Sequence, residues 1–190
     1  MKESERQQLV RKAAAQYGGL DGVFANAADL GSVLVDGDIL SNDISIWERT
    51  LQVNQTGTAM IGRACLPLLL ERGAGAIVCT SSGASTIGEG ERPAYAASKA
   101  GINALCRHMA SRWGKQGIRC NSIAPGLIVT PQLSAGMGEE LLDKMPHGVH
   151  SPRHGTPADI AASVAFLMSD DGAFVNGQTW HVNGAAYYGD

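Results

Sequence analysis

Gly75-Ala76-Ile77-Val78-Cys79-Thr80 is an apolar run of strand length, and Ser81-Ser82-Gly83 follows it at once. A run without polar alternation suits a strand covered on both faces. Downstream, past a Gly/Ser loop, the pattern predicts a helix over 94–115 and a second such strand, Ile118–Ile123. Upstream, a long helical pattern over 43–72 carries Ile46, Trp47, Leu51, Met60, Ile61 and Leu68, with Pro67 and the internal glycines expected to bend it. Further out, a helix at 3–17 ends at Gly18-Gly19, a short strand follows at Leu20–Ala25, and a polar loop leads to Asn42. On the far side, residues 124–156 read as a long loop with a short helix near Glu139–Lys144. Thr156-Pro157-Ala158-Asp159 then starts a helix that runs to about Met168. Gln178–Val182 is the last strand. Strands alternating with helices imply an α/β, doubly wound parallel sheet. Residues 1–190 read as one domain with four strands and about four main helices, and the first strand sits at a sheet edge, unpartnered on one side.

Composition narrows the class. Hydrophobic residues make up 44% and charged residues 17% of the 190, as in an ordinary globular chain. A formal net charge of -3 gives no reason to expect nucleic acid or an anionic membrane as a partner. No apolar run approaches the roughly 20 residues that span a bilayer. The charged start, Met1-Lys2-Glu3-Ser4-Glu5-Arg6, leads into no apolar stretch, so no secretory signal is read and a cytoplasmic location is expected. Cys65, Cys79, Cys106 and Cys120 show no CxxC spacing and read as buried free thiols. His147, His150 and His154 share a loop with Gly148, Pro152 and Gly155, so no helix fixes their geometry and no metal site is expected.

Ser82 lies just past the strand, Tyr95 thirteen positions later, and Lys99 four after that. Positions i and i+4 share a helix face, so Tyr95 and Lys99 point the same way at a helix start, beside the carboxyl end of a parallel strand where ligands of open α/β sheets bind. An ammonium beside a phenol favours the phenolate and is expected to lower the Tyr95 pKa, letting it exchange a proton near neutral pH. A serine hydroxyl nearby can hydrogen-bond a carbonyl or alkoxide oxygen. Ser81, one position earlier, competes for that part. A lone Tyr-x-x-x-Lys is a weak signal, since a solvated helix pair has the same pattern.

The surroundings strengthen it. Thr80-Ser81-Ser82-Gly83, Tyr95-Ala96-Ala97-Ser98-Lys99-Ala100-Gly101 and Arg119-Cys120-Asn121-Ser122-Ile123-Ala124-Pro125-Gly126 occur in order. With Phe24-Ala25-Asn26-Ala27-Ala28, Val53-Asn54-Gln55-Thr56-Gly57, Gly155-Thr156-Pro157-Ala158-Asp159-Ile160-Ala161 and Val175-Asn176-Gly177-Gln178, the chain resembles the short-chain dehydrogenase/reductase family over nearly its whole length. The resemblance implies a Rossmann-like sheet and hydride transfer between NAD or NADP and a small-molecule carbonyl or secondary alcohol. It implies Tyr95 as general acid or base and Lys99 as the residue that lowers its pKa and binds the nicotinamide ribose. Ser82 would orient the substrate oxygen, and Asn54 would hold a water that links Lys99 to solvent. Asn26, Ala27, Pro125, Gly126, Ile128 and Thr130 fall at cofactor-contacting positions; Gly126 would let backbone approach the ligand, and Thr130 would touch a carboxamide or phosphate. A homodimer or homotetramer built on helices 43–72 and 94–115 is also implied, those helices carrying more apolar positions than one sheet face covers.

Departures from the family pattern set further expectations. The family opens with a strand and a Gly-rich turn that seats a pyrophosphate on a helix N-terminus. Gly18-Gly19-Leu20-Asp21-Gly22 follows a helix and precedes a strand, the reverse order. The sheet is therefore expected to be incomplete, its first three family strands absent, with cofactor binding impaired and the residues that separate NAD from NADP missing. Ala25 and Ala28 replace a family asparagine and glycine, and Val182-Asn183-Gly184-Ala185 replaces Val-Asp-Gly-Gly. An incomplete stretch of a full-length enzyme is the favoured account. The alternative is a catalytically inactive truncated member of the family that acts as a binding or dimerisation module.

Overall fold

The computed structural model describes residues 3–133 and 149–189. The chain runs α1 (Glu3–Tyr17), β1 (Gly22–Ala25), a helical turn α2 (Leu30–Val33), α3 (Ile44–Thr50), α4 (Gly57–Arg72), β2 (Gly75–Thr80), α5 (Pro93–Trp113), β3 (Ile118–Pro125), α6 (Pro157–Met168) and β4 (Thr179–Val182). The strands form one parallel sheet in the order β1-β2-β3-β4. The register pairs Gly22 with Ala76, Gly75 with Ile118 and Ser122 with Thr179. β1 is thus an edge strand, as the sequence predicts, and the fold is a small parallel sheet of Rossmann-like type.

Both faces are covered because the strands alternate. Ile77, Cys79, Ile118 and Cys120 pack with Val10 of α1, Cys65 and Leu69 of α4, and Ile102, Cys106 and Met109 of α5. On the opposite face Val78 and Ile123 pack with Val164 and Leu167 of α6 and with Trp180. Arg119 holds α6 to the sheet from its C-terminal end, donating to the Leu167 and Ser169 carbonyls at 2.6 and 3.1 Å. Asp159 begins α6 as the sequence predicts: its carboxylate accepts from the Thr156 amide at 2.7 Å and pairs with both guanidinium nitrogens of Arg153. These bonds, the Arg153 pair first, hold the Asp159 carboxyl well below its usual range.

Two expectations need correction. The helix predicted over 43–72 runs unbroken from Ile44 to Arg72, and its middle, Leu51–Thr56, is a π-helical segment. Its cause is visible at Asn54, fully buried, whose side chain bonds away from its own helix. The polar loop before Asn42 contains α2, started by the Asp29 side chain, which accepts from the Ser32 amide. The long loop from 124 begins later, because β3 continues to Pro125, and Ile128 makes a further parallel bridge to Gly155. On the helices expected to form an interface, Ile44 is 69% exposed and Pro67 is exposed, while Leu68, Leu70, Leu105 and Trp113 are half-buried; Leu30, Leu34, Val35, Ile39 and Leu40 add exposed apolar side chains before α3. The short helix expected near Glu139–Lys144, and His147, lie outside the described residues. No helix among the described residues is long and apolar enough to cross a membrane.

Candidate active site

In a parallel sheet all carboxyl ends emerge on one edge, which places Asn26, Ser81 and Ser82, Gly126 and Asn183 side by side. Thr80 ties two of these ends together, its Oγ1 donating to Asn26 Oδ1 at 2.8 Å. The two serines then part. Ser81 turns into the protein, donating to the Lys99 carbonyl at 3.3 Å, and is 1% exposed. Ser82 begins a 3-10 turn, Gly83–Ser85, accepting from the Ala84 amide at 3.3 Å. The two candidate serines thus point different ways, Ser81 inward and Ser82 into the turn after β2.

Tyr95 and Lys99 share a face of α5. Lys99 is 2% exposed; its Nζ donates to the Thr80 carbonyl at 2.8 Å and lies 5.5 Å from the centre of the Tyr95 ring. Burial pulls the Lys99 amine down to about 8, so at neutral pH it remains mostly a cation. The expectation for Tyr95 is overturned. Burial raises its phenol above the ordinary value, opposed by the neighbouring Ser82 hydroxyl and by Arg92. Lys99 Nζ donates to the Thr80 carbonyl, and for Tyr95 the desolvation of the phenol outweighs the neighbouring groups that lower it.

The Lys99 shift gives a first prediction. Above about pH 8 the folded chain has released a proton that an unfolded lysine keeps until its ordinary range near 10.4. The unfolded state then binds more protons, so this group adds stability as pH rises through that window and contributes no such gain below it. Chemical unfolding of wild type and Lys99→Met at about pH 7 and pH 9.5 is expected to show wild type gaining on the variant by on the order of 1–2 kcal/mol. Equal pH dependence in the two proteins would refute the buried cation.

Asn54 is placed beside this pair, with its side chain committed to protein. Its Oδ1 accepts from the Asp29 amide at 2.8 Å, and its Nδ2 donates to Ser98 Oγ at 3.1 Å. Ser98 in turn donates to the Tyr95 carbonyl at 2.7 Å, so Asn54 braces the first turns of α5. At Gly126 a Cβ would sit 2.8 Å from Asn183 Cα, so the missing side chain lets the end of β4 approach closely. Thr130 Oγ1 accepts from the Leu133 amide at 3.2 Å, which leaves its O–H to donate. Ile128 and Pro125 lie along the same edge, and Ala27 is exposed beyond Asn26.

Three features escape sequence reasoning. Tyr187 lies over Gly83, where a Cβ would come within 2.4 Å of its ring, and its hydroxyl reaches the Ala124 and Pro125 carbonyls at 3.2 and 3.3 Å. Gly83, directly after Ser82, was the one available hint. Asp36, discussed below, sits in a loop without periodicity. The sulfurs of Cys79, Cys106 and Cys120 lie within 4.8 Å of one another. They come from β2, α5 and β3, so no spacing announces them. They could share one thiophilic ion, but all three are at most 1% exposed, and no imidazole or carboxylate joins them among the described residues.

The profile of the family described as Enoyl-(Acyl carrier protein) reductase matches residues 1–185. A probable short-chain type dehydrogenase/reductase of Bradyrhizobium diazoefficiens is 38% identical over 93% of this chain. The chain belongs to the short-chain dehydrogenase/reductase family. It spans 63% of that relative's length. A 2-(S)-hydroxypropyl-CoM dehydrogenase of Xanthobacter autotrophicus is 36% identical over 92% of this chain and 69% of its own. Among solved structures, a short-chain type dehydrogenase/reductase from Mycobacterium ulcerans superposes with a TM-score of 0.85 at 31% identity, covering 97% of this chain and 66% of the other. Membership of the short-chain dehydrogenase/reductase family accounts for the order of Ser82, Tyr95 and Lys99 along the sheet edge and for the parallel topology that assembles them.

Proposed function

We propose that this chain is the catalytic part of an oxidoreductase that moves a hydride between NAD or NADP and a ketone or secondary alcohol. The observation that carries the reading is the meeting of Ser82, Tyr95 and a buried Lys99 cation at the carboxyl edge of the sheet. The nicotinamide end of the cofactor would meet donors from Lys99 and Tyr95 and the Thr130 O–H at this edge, with Asn26, Ala27, Pro125, Gly126 and Ile128 at the neighbouring strand ends. For the pyrophosphate the described residues provide no Gly-rich turn between a strand and a helix N-terminus. The bound nicotinamide supplies or takes the hydride. Tyr95 supplies the proton: in reduction its O–H goes to the oxygen of the carbonyl, and in oxidation its phenolate removes the hydroxyl proton. Ser82 holds the same oxygen by a hydrogen bond. The Lys99 ammonium stabilises the phenolate that donation leaves behind. Asn54, through Ser98, keeps the Tyr95 turn in register. The dehydrogenase relative named for a 2-hydroxypropyl substrate supports a secondary alcohol as the substrate class.

The test is turnover of NADH or NADPH by the purified protein with a panel of cyclic and acyclic ketones. Deuterium carried from the cofactor into the alcohol product is the expected result. Ser82→Ala is expected to lower kcat by about ten- to a thousandfold, as when one oxyanion donor is removed. Cofactor oxidation without deuterium in the alcohol, or an unchanged Ser82→Ala, would overturn the reading.

A homodimer or homotetramer on α4 and α5 belongs to the same proposal. A groove of about 340 Å3 between these helices is lined by Leu66, Pro67, Leu70, Leu105, Met109 and Trp113. Light scattering at micromolar concentration is expected to give a multiple of the 19.8 kDa chain mass, and Leu105→Glu to shift it toward the monomer. A monomeric wild type would exclude the interface.

A further inference from the structure

We propose that Asp36 is a positioning residue for Tyr95: its carboxylate caps the N-terminus of α5 from a distant loop and holds the tyrosine turn against Ser82. The proposal rests on the acid–base reading of Tyr95 given above.

The start of α5 lacks the usual local cap. Its N-cap position is Arg92, in the left-handed region at φ 65, and its side chain makes no capping hydrogen bond. The guanidinium instead pairs with Glu89 at 2.6 Å. Pro93 follows and has no N–H. The first amides that need an acceptor are those of Ala94 and Tyr95. Both are met by Asp36: Tyr95 N donates to Oδ2 at 2.8 Å and Ala94 N to Oδ1 at 3.4 Å. The Arg92 amide adds a bond to the Asp36 carbonyl at 3.0 Å. From behind, Asn42 Nδ2 donates to Oδ1 at 2.6 Å. Asp36 is 3% exposed. A buried carboxylate is costly unless its oxygens are met. Here three donors meet them, at the positive end of a 21-residue helix.

The same loop is tied at its other end. Asp29 gives its amide to Asn54 Oδ1 and its carboxylate to Arg49. Residues 26–42 therefore form a strap with one knot at Asn54 and the other at the Tyr95 backbone. Asp36 makes no contact with the phenol itself, so its influence runs through the backbone of α5.

The test combines amide hydrogen exchange with kinetics on Asp36→Ala and Asp36→Asn. Exchange at Ala94 and Tyr95 is expected to quicken at least about tenfold in Asp36→Ala, the factor one lost charge-assisted bond carries, while β2 and β3 amides stay within about twofold. Turnover should fall about tenfold or more with KM within about twofold, since Asp36 touches no substrate. Asp36→Asn keeps one acceptor oxygen and is expected to recover part of both losses. Asn42→Ala, which removes one of the three donors but leaves both helix bonds in place, should cost less than Asp36→Ala in both readouts, and a cost equal to or larger than that of Asp36→Ala would count against the cap. If Asp36→Ala does not fold, Asp36→Asn decides, with local exchange and kcat still required to move together. Unchanged exchange at Ala94 and Tyr95, a rise spread over the whole sheet, or faster local exchange with unaltered kcat would each overturn the proposal. Tyr95→Phe separates the two readings: parental turnover in that variant removes the acid–base role, whereas the exchange result still reports the anchor.

Discussion

Tyr95→Phe is expected to lower turnover by about a hundred- to ten-thousandfold, the range that a positioned general acid or base contributes. The substitution removes one oxygen and keeps the ring that lies 5.5 Å from Lys99 Nζ, so the fold and the neighbouring cation survive. Thermal unfolding should therefore change little while kcat collapses. The direction of the Tyr95 shift adds a pH signature. Burial favours the protonated phenol, so reduction holds up through neutral pH, and oxidation, which needs phenolate, rises toward alkaline pH. Turnover within about tenfold of wild type would remove Tyr95 from the chemistry.

The largest expected effect on stability comes from Gly117→Ala. Gly117 adopts φ +83 where α5 and its 3-10 extension end, and a Cβ there would lie 2.4 Å from the Gly73 carbonyl oxygen. Gly73 is the left-handed cap of α4, and the Gly117 carbonyl accepts from the Gly75 amide at 3.1 Å. The turns that launch β2 and β3 are thus pressed backbone to backbone. Alanine adds the left-handed penalty of about 1–2 kcal/mol and a clash that only backbone movement relieves, about 1–3 kcal/mol more. At about 2–4 °C per kcal/mol for a chain of this size, a Tm drop of roughly 4–20 °C is expected. Gly73→Ala is the control: its φ is +76, but nothing lies within 4 Å of its Cβ position, so only the conformational penalty applies. Equal losses in the two variants would mean that the contact between the turns carries no weight.

Much of the site is readable along the chain because it depends on short spacings. Tyr95 and Lys99 are one helical turn apart, so helix period brings them together, while Ser82, directly after its strand, joins them only by resemblance to the short-chain dehydrogenase/reductase pattern. The sheet is legible for the same reason: Ile77 and Val78 belong to opposite faces of an apolar run. What escapes is set by contacts between distant segments. Nothing in Val35-Asp36-Gly37 signals that the carboxylate will cap a helix that starts at Pro93. The π segment is equally silent, because Asn54 leaves its helix only once Asp29 and Ser98 are in place. The Tyr95 shift was misjudged because spacing reports the Lys99 charge, whereas desolvation and the Thr80 carbonyl exist only after folding. The close approach of Asn183 to Gly126 is likewise visible only once β4 is in place.

The strand order has a consequence for how the protein is made. Neighbours in the sheet are successive strands in the chain, β1-β2-β3-β4, and each crossover carries its own helices. As the polypeptide leaves the ribosome at about 5–20 residues per second, every new strand finds its partner already synthesised. Among the described residues, no later segment has to be threaded between two strands that have paired. Assembly can proceed vectorially, one βα unit at a time, with the growing edge always on the side from which the next strand arrives.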